Sequence, residues 1–304
     1  MSLLVVGSIG LDTIQTPFSH VDDTIGGTAV FCGVTASYFT KVNLVGVVGE
    51  DFPKAELEFF RRRNIDLEGL EIKAGKSFRW GAKYDLDLNS RETLFTHLNV
   101  FETFKPKIPE KYRDTPFVFL GNIGPELQLE VLNQVRSPKL VALDTMNYWI
   151  EGAPEALGRV LERIEVLLVN DSEARLLARE PNLVKAARRI RELGPKIIII
   201  KKGEHGAVMI CGKQFFWAPA FPLENAFDPT GAGDTFAGGF MGYIAKAGKY
   251  DDATLRQAVV YGSTFASFCV EKFSLERIRD LSWDEIHQRY AEFQTMTGFT
   301  RPWE

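Results

Sequence analysis

A chain of 304 residues, 45% hydrophobic and 25% charged, has the balance of a globular protein and enough length for one large α/β domain or two smaller ones. A formal net charge of −4 argues against the basic surface that nucleic acid or an anionic membrane would demand. Cys32, Cys211 and Cys269 stand far apart with no CxxC, which disfavours a disulfide framework or a zinc site and makes a reducing cytoplasm the expected compartment.

The opening "MSLLVVGSIG" has no basic leader, and its apolar run is too short for a signal peptide or a membrane span. It reads as a first buried strand. The next segment, "LDTIQTPFSHVDDTIGG", precedes the first helix and is expected to add a strand to a small separate layer. Apolar, β-rich runs then begin at Val42 ("VNLVGVVG"), Phe117 ("FVFLGN"), Leu140 ("LVALD"), Val166 ("VLLVN") and Ile197 ("IIIIKKG"). Consecutive apolar positions predict strands buried on both faces of a mainly parallel sheet. Helical periodicity lies between them over Ala55–Arg63, Gln128–Val135, Ala153–Ile164 and Leu183–Leu193. The alternation predicts a doubly wound α/β fold flanked by helices, with 1–304 as a single domain.

One stretch keeps a period of two instead. Phe78, Trp80, Ala82, Tyr84 and Leu86 alternate with Arg79, Gly81, Lys83 and Asp85, and "DLNSR" supplies a turn. Ser77–Val100 is therefore expected to be an inserted hairpin, forming a lid with residues 11–25. An isolated hairpin is marginal, so its apolar face must cover something: a ligand cleft, a partner subunit or the body of the domain.

The stretch "FDPTGAGDTFAGGF" sets Asp234 after Gly231, Ala232 and Gly233, and Phe236, Phe240, Tyr243 and Ala247 follow at helical spacing. Bare amides at a helix start attract an anion, and a carboxylate in that field can take a proton from a hydroxyl beside it. Hydroxyl, phosphate and base together describe phosphoryl transfer. The competing reading is a plain helix cap with small residues for close packing. No GxxxxGK[ST] is present, and Phe236 occupies the third glycine position of GxGxxG. "VVGSIGLD" offers only Gly7 and Gly10, at the wrong spacing for a dinucleotide turn. Asn170 and Glu173 in "VNDSE" have the spacing of a capping box. Lys202, Gly203 and Gly206 have that of a tight hairpin between two strands. His20, His97, His205 and His287 lack metal-ligand spacing.

"DPTGAGDTFAGGF" closely resembles the C-terminal signature of the ribokinase-like (PfkB) carbohydrate kinases. "GSIGLD", the Gly26–Gly27 pair, "GVVGEDF", "VNDSE" and "KKGEHGA" extend the resemblance along the chain. It implies ATP-dependent phosphorylation of a sugar or sugar-like alcohol. On that likeness Asp234 is the base and the amides of Gly231, Ala232 and Gly233 neutralise the phosphoryl group. Glu173 orients Mg2+, a monovalent cation such as K+ is a further expectation, and Asn170, Lys202, Gly203 and Gly206 lie by the nucleotide. Asp12, Gly26 and Gly27 meet the substrate. Phe31 departs from the pattern, because sugar kinases commonly carry asparagine there. That departure, with the aromatic lid, keeps a nucleoside kinase as the alternative; a non-catalytic ligand-binding protein on this fold is the more distant one. The expected partners are a small-molecule substrate and no nucleic acid or membrane, with the chain a monomer or a homodimer through the lid.

Overall fold

The computed structural model describes residues 1–298, so 299–304 of the expected domain lie outside the described residues. The chain opens with β1 (Ser2–Val6) and passes directly into an antiparallel pair, β2 (Gly10–Gln15) and β3 (His20–Gly26). Helix α1 (Thr28–Ala36) leads back to β4 (Lys41–Gly49), α2 (Lys54–Arg62) and β5 (Ile65–Lys73). The hairpin follows as β6 (Phe78–Tyr84) and β7 (Arg91–His97). Next come β8 (Phe117–Leu120), α3 (Pro125–Gln134), β9 (Leu140–Asp144), α4 (Asn147–Gly152), α5 (Pro154–Leu161) and β10 (Val166–Asn170). Then α6 (Asp171–Ala178), α7 (Leu183–Glu192) and β11 (Ile197–Lys201) precede an antiparallel edge of β12 (Ala207–Cys211) and β13 (Gln214–Ala218). Three long helices close the chain: α8 (Ala232–Ala247), α9 (Asp252–Cys269) and α10 (Trp283–Thr297).

The main sheet runs β13-β12-β11-β10-β9-β8-β1-β4-β5, parallel except at β12 and β13. Its central strands are apolar at consecutive positions because each face has its own core. Leu3, Val5, Phe117 and Phe119 point toward α1, α8 and α9, while Leu4, Val6, Val118 and Leu120 point toward α3, α5 and α7. Strand β5 escapes the apolar signature because it is the edge strand: "IDLEGLEIK" keeps charged residues beside half-buried ones. The glycines of "AGGF" serve packing. A Cβ on Gly238 would stand 2.5 Å from the Cys32 carbonyl on α1, and one on Gly239 would stand 2.9 Å from the Tyr261 carbonyl on α9.

The second sheet has the order β3-β2-β6-β7, so residues 10–26 and the hairpin share one layer. Its small apolar cluster of Ile14, Ala82 and Tyr84 packs with Trp80, Leu88 and Phe273. Leu86 does not belong to this face. It is 77% exposed, because the chain has already entered the turn, whose amides at Asn89 and Ser90 donate to the Asp87 carboxylate. At the hairpin's base, Asp51 of "GVVGEDF" accepts from the Ser77 amide and hydroxyl, both at 2.7 Å, and pairs with Arg79 at 3.1 Å.

Candidate active site

The parallel strands end on one side of the sheet, where an open α/β fold places its ligands. Asp144 ends β9, Asn170 ends β10 and Lys201 ends β11. The start of α8 faces them. Gly231 is its N-cap at φ 76°, a left-handed conformation that suits glycine, and Ala232, Gly233 and Asp234 form the first turn. No side chain caps these amides; Ala232 donates to the Pro229 carbonyl at 3.2 Å, which leaves the Gly231 and Gly233 N–H groups for an anion.

Asp234 therefore lies in the first turn without capping it. Burial, then the nearby Asp144 carboxylate, pushes it up to about 7, while Lys201, the Thr28 hydroxyl and Arg91 oppose that rise. A carboxyl poised there accepts a proton readily near neutrality. Lys201 donates to Asp144 at 2.8 Å, and its ammonium lies 3.0 Å from where a Cβ on Gly233 would begin. Burial opposes the lysine charge, but Asp144, Glu173 and Asp234 together raise its pKa above the ordinary value.

Asn170 and Glu173 form the capping box in both directions. Asn170 Oδ1 accepts from the Glu173 amide and Glu173 Oε2 from the Asn170 amide, each at 2.8 Å. Burial and Asp144 nonetheless push Glu173 up to about 7, so this cap also carries the electrostatics of the site. Asp12 is 4% exposed, and burial with Asp228 and Asp234 pushes it up to about 8. Its carboxylate occupies the space a side chain on Gly26 would need, with Oδ2 1.9 Å from that Cβ position. Gly27, at φ 100°, would drive a Cβ to 2.4 Å from the Ser8 carbonyl.

Phe31 and Lys202 lie at the margins of this cluster. Phe31 is 2% exposed, and its ring lies 2.4–2.5 Å from a Cβ built on Gly231. It forms the floor of the α8 turn. Lys202 directs its ammonium over the Trp217 ring, 4.6 Å from the centroid. Its amide closes the turn on the Gly206 carbonyl at 2.7 Å, with Gly203 and Gly206 both at positive φ. The loop is thus a tight connection between β11 and β12.

Asp144, Lys201, Thr28 and Arg91 were not singled out from the sequence. Asp144 and Lys201 carry the same signal as Asn170, a polar residue ending an apolar strand, and could have been found by it. Arg91 sits where the hairpin turn ends, and nothing local marks it.

The residues fit a magnesium nucleotide. Carboxylates outnumber cations around the α8 turn, and no group of three His, Cys, Asp or Glu side chains converges as a metal cage among the described residues. That suits an ion held by one or two carboxylates, waters and phosphate.

The chain matches the model of the pfkB family of carbohydrate kinases over residues 11–279. It is 30% identical over 247 residues to the cytidine kinase of Thermococcus kodakarensis, covering 79% of this chain and 87% of that protein. Two solved structures share its fold. The nucleoside kinase of Methanocaldococcus jannaschii superposes with TM-score 0.76 at 21% identity, over 96% of this chain and 98% of that one. The aminoimidazole riboside kinase of Salmonella enterica, complexed with aminoimidazole riboside and an ATP analogue, gives TM-score 0.78 at 20% identity, over 95% and 100%. A family match spanning most of the chain, on a fold whose strand ends assemble an acid beside a bare helix turn, makes this protein a member of the pfkB carbohydrate kinase family, an ATP-dependent kinase of a sugar or nucleoside.

Proposed function

We propose that the acceptor is a ribofuranosyl nucleoside, with cytidine the first candidate, and that Asp234 takes the proton of the hydroxyl phosphorylated. The observation that carries this is the buried Asp12 carboxylate, pressed against Gly26 beside the Asp234 site. A carboxyl there bonds two adjacent hydroxyls, as a ribose diol presents them, and the hydrogen bonds it accepts favour its ionised form. The burial of Phe31 removes a hydrogen-bonding side chain from the position where sugar kinases carry asparagine, and the likeness to a cytidine kinase supports the same acceptor.

In the reaction the γ P–O bond to ADP breaks and an ester bond to the alcohol forms, its proton passing to Asp234. The amides of Gly231, Ala232 and Gly233 and the Lys201 ammonium meet the negative charge of the moving group. Asn170, Gly203 and Gly206 border the nucleotide. Glu173 would hold Mg2+, whose charge offsets that of the phosphates. A monovalent cation such as K+ belongs to the proposal because Asp228, 1% exposed, leaves Oδ2 without a partner while the Thr230 amide donates to Oδ1 at 2.8 Å.

The second sheet acts in this reading as a lid over one kinase domain, and the chain works as a monomer or as a dimer joined through that sheet. No described helix is long and apolar enough to cross a membrane. The three cysteines are free, which supports the cytoplasm.

ADP release measured with cytidine, uridine, adenosine, inosine, ribose and fructose tests the acceptor. Turnover of nucleosides well above the free sugars is expected. Turnover of free sugars alone would return the acceptor to the sugar class.

A further inference from the structure

Arg91 opens β7 directly opposite Tyr84 in the hairpin register. Its guanidinium stacks 5.0 Å from the centroid of the Trp80 ring, which gives a long side chain a fixed course. Tyr84 accepts a hydrogen bond from the Thr230 hydroxyl at 3.0 Å, and Thr230 immediately precedes the Gly231 turn. On the other side, Asn89 Oδ1 approaches to 2.9 Å of the Cβ position on Gly203. The strand start that carries Arg91 is therefore pinned between the α8 turn and the β11–β12 loop.

Arg79, near the other end of the hairpin, spends its charge on Asp51 and Asp23, whereas Arg91 makes no ion pair among the described residues. Yet the Arg91 charge acts on Asp12, Glu173 and Asp234 together. The guanidinium also bonds the Tyr84 hydroxyl, which sits on Thr230, and with no carboxylate partner its remaining donors are free for an anion that arrives later. The anion that enters between Asp234 and Gly231–Gly233 is the γ-phosphoryl group.

We infer that Arg91 is a catalytic residue carried by the lid, its guanidinium contacting the transferring phosphoryl group when the hairpin rests on Thr230 and Gly203. This rests on phosphoryl transfer taking place at the α8 turn. Placing the cation on the hairpin ties chemistry to closure. An open lid removes Arg91 and leaves ATP little prone to attack by water.

The test compares Arg91→Ala and Arg91→Lys with the wild type, using ATP and cytidine, or whichever nucleoside or sugar of the panel turns over fastest. Arg91→Ala should lose about 10²-fold or more in kcat. Its acceptor KM should stay within about threefold, and its Tm within about 2 °C, because the side chain is exposed. Arg91→Lys keeps the charge without the planar fork and should recover only part of the loss. Millimolar guanidinium should raise the activity of Arg91→Ala and leave the wild type unchanged. A kcat for Arg91→Ala within about twofold of wild type overturns the inference. So does a loss confined to acceptor KM with no guanidinium rescue, which would make Arg91 a substrate contact or a closing contact. Asp234→Asn assayed alongside separates the two levels. If it is fully active, the site itself is misplaced; if it is inactive while Arg91→Ala is normal, only the lid inference fails.

Discussion

The Lys201 ammonium bridges two elements that meet only in the folded chain: it lies 2.8 Å from Asp144 at the end of β9 and against Gly233 in the first turn of α8. It is one of the two positive charges that oppose the rise of both Asp234 and Glu173. Without it, Asp144, Glu173 and Asp234 would face one another across a partly desolvated cleft.

Lys201→Met should lower stability by about 3–5 kcal/mol, the cost of stranding one partner of a buried pair. Denaturant unfolding measures this. Adding Asp144→Leu should restore much of the stability and none of the activity. An unchanged midpoint for Lys201→Met would mean that water already screens the pair.

Glu173→Gln keeps the capping geometry, since an amide oxygen can still accept from the Asn170 amide. It should raise the Mg2+ concentration for half-maximal activity about tenfold or more, with Tm unchanged or higher. A fall in Tm with unaltered Mg2+ dependence would reduce Glu173 to a helix cap.

The raised acids also set a pH trend. Asp12 titrates at about 8 and Glu173 and Asp234 at about 7, each above its unfolded value, so the folded chain binds more protons through this range. The destabilisation they cause is present above those values and relieved as pH falls. Tm should therefore rise from pH 8.5 to about 5.5, and Asp12→Asn should flatten the upper part of the curve. Well below that range the trend reverses, because Asp66 acts in the opposite sense. Burial alone would raise its pKa, but bonds to Tyr112, Lys41 and Lys111 hold it below the ordinary value, and they are lost on protonation. A Tm that falls steadily from pH 8.5 to 5.5 in scanning fluorimetry would contradict the desolvation of these acids.

The glycine-rich start of α8 was legible because its physics is local: glycines, a helix start and an acid lie within a few residues. The capping box at Asn170 and Glu173 was legible for the same reason. Lys201 was passed over for Lys202, since the two are adjacent and only the β11 register decides which one faces Asp144, 57 residues away. Phe31 stood out only as a departure from an asparagine; its ring lies under Gly231, a contact that exists only once α1 and α8 pack together. The alternation of the hairpin located its strands and overran into the turn at Leu86, because period two cannot say where pairing stops.

The central claim, that Asp234 accepts the acceptor's proton beside the bare α8 turn, is tested most directly by single-turnover phosphoryl transfer in Asp234→Asn. The substitution keeps size and removes the base, so Tm should hold or rise, ATP should still bind, and the transfer step should slow by about 10²–10⁴-fold. Transfer at a rate near wild type in a folded Asp234→Asn variant would contradict the claim.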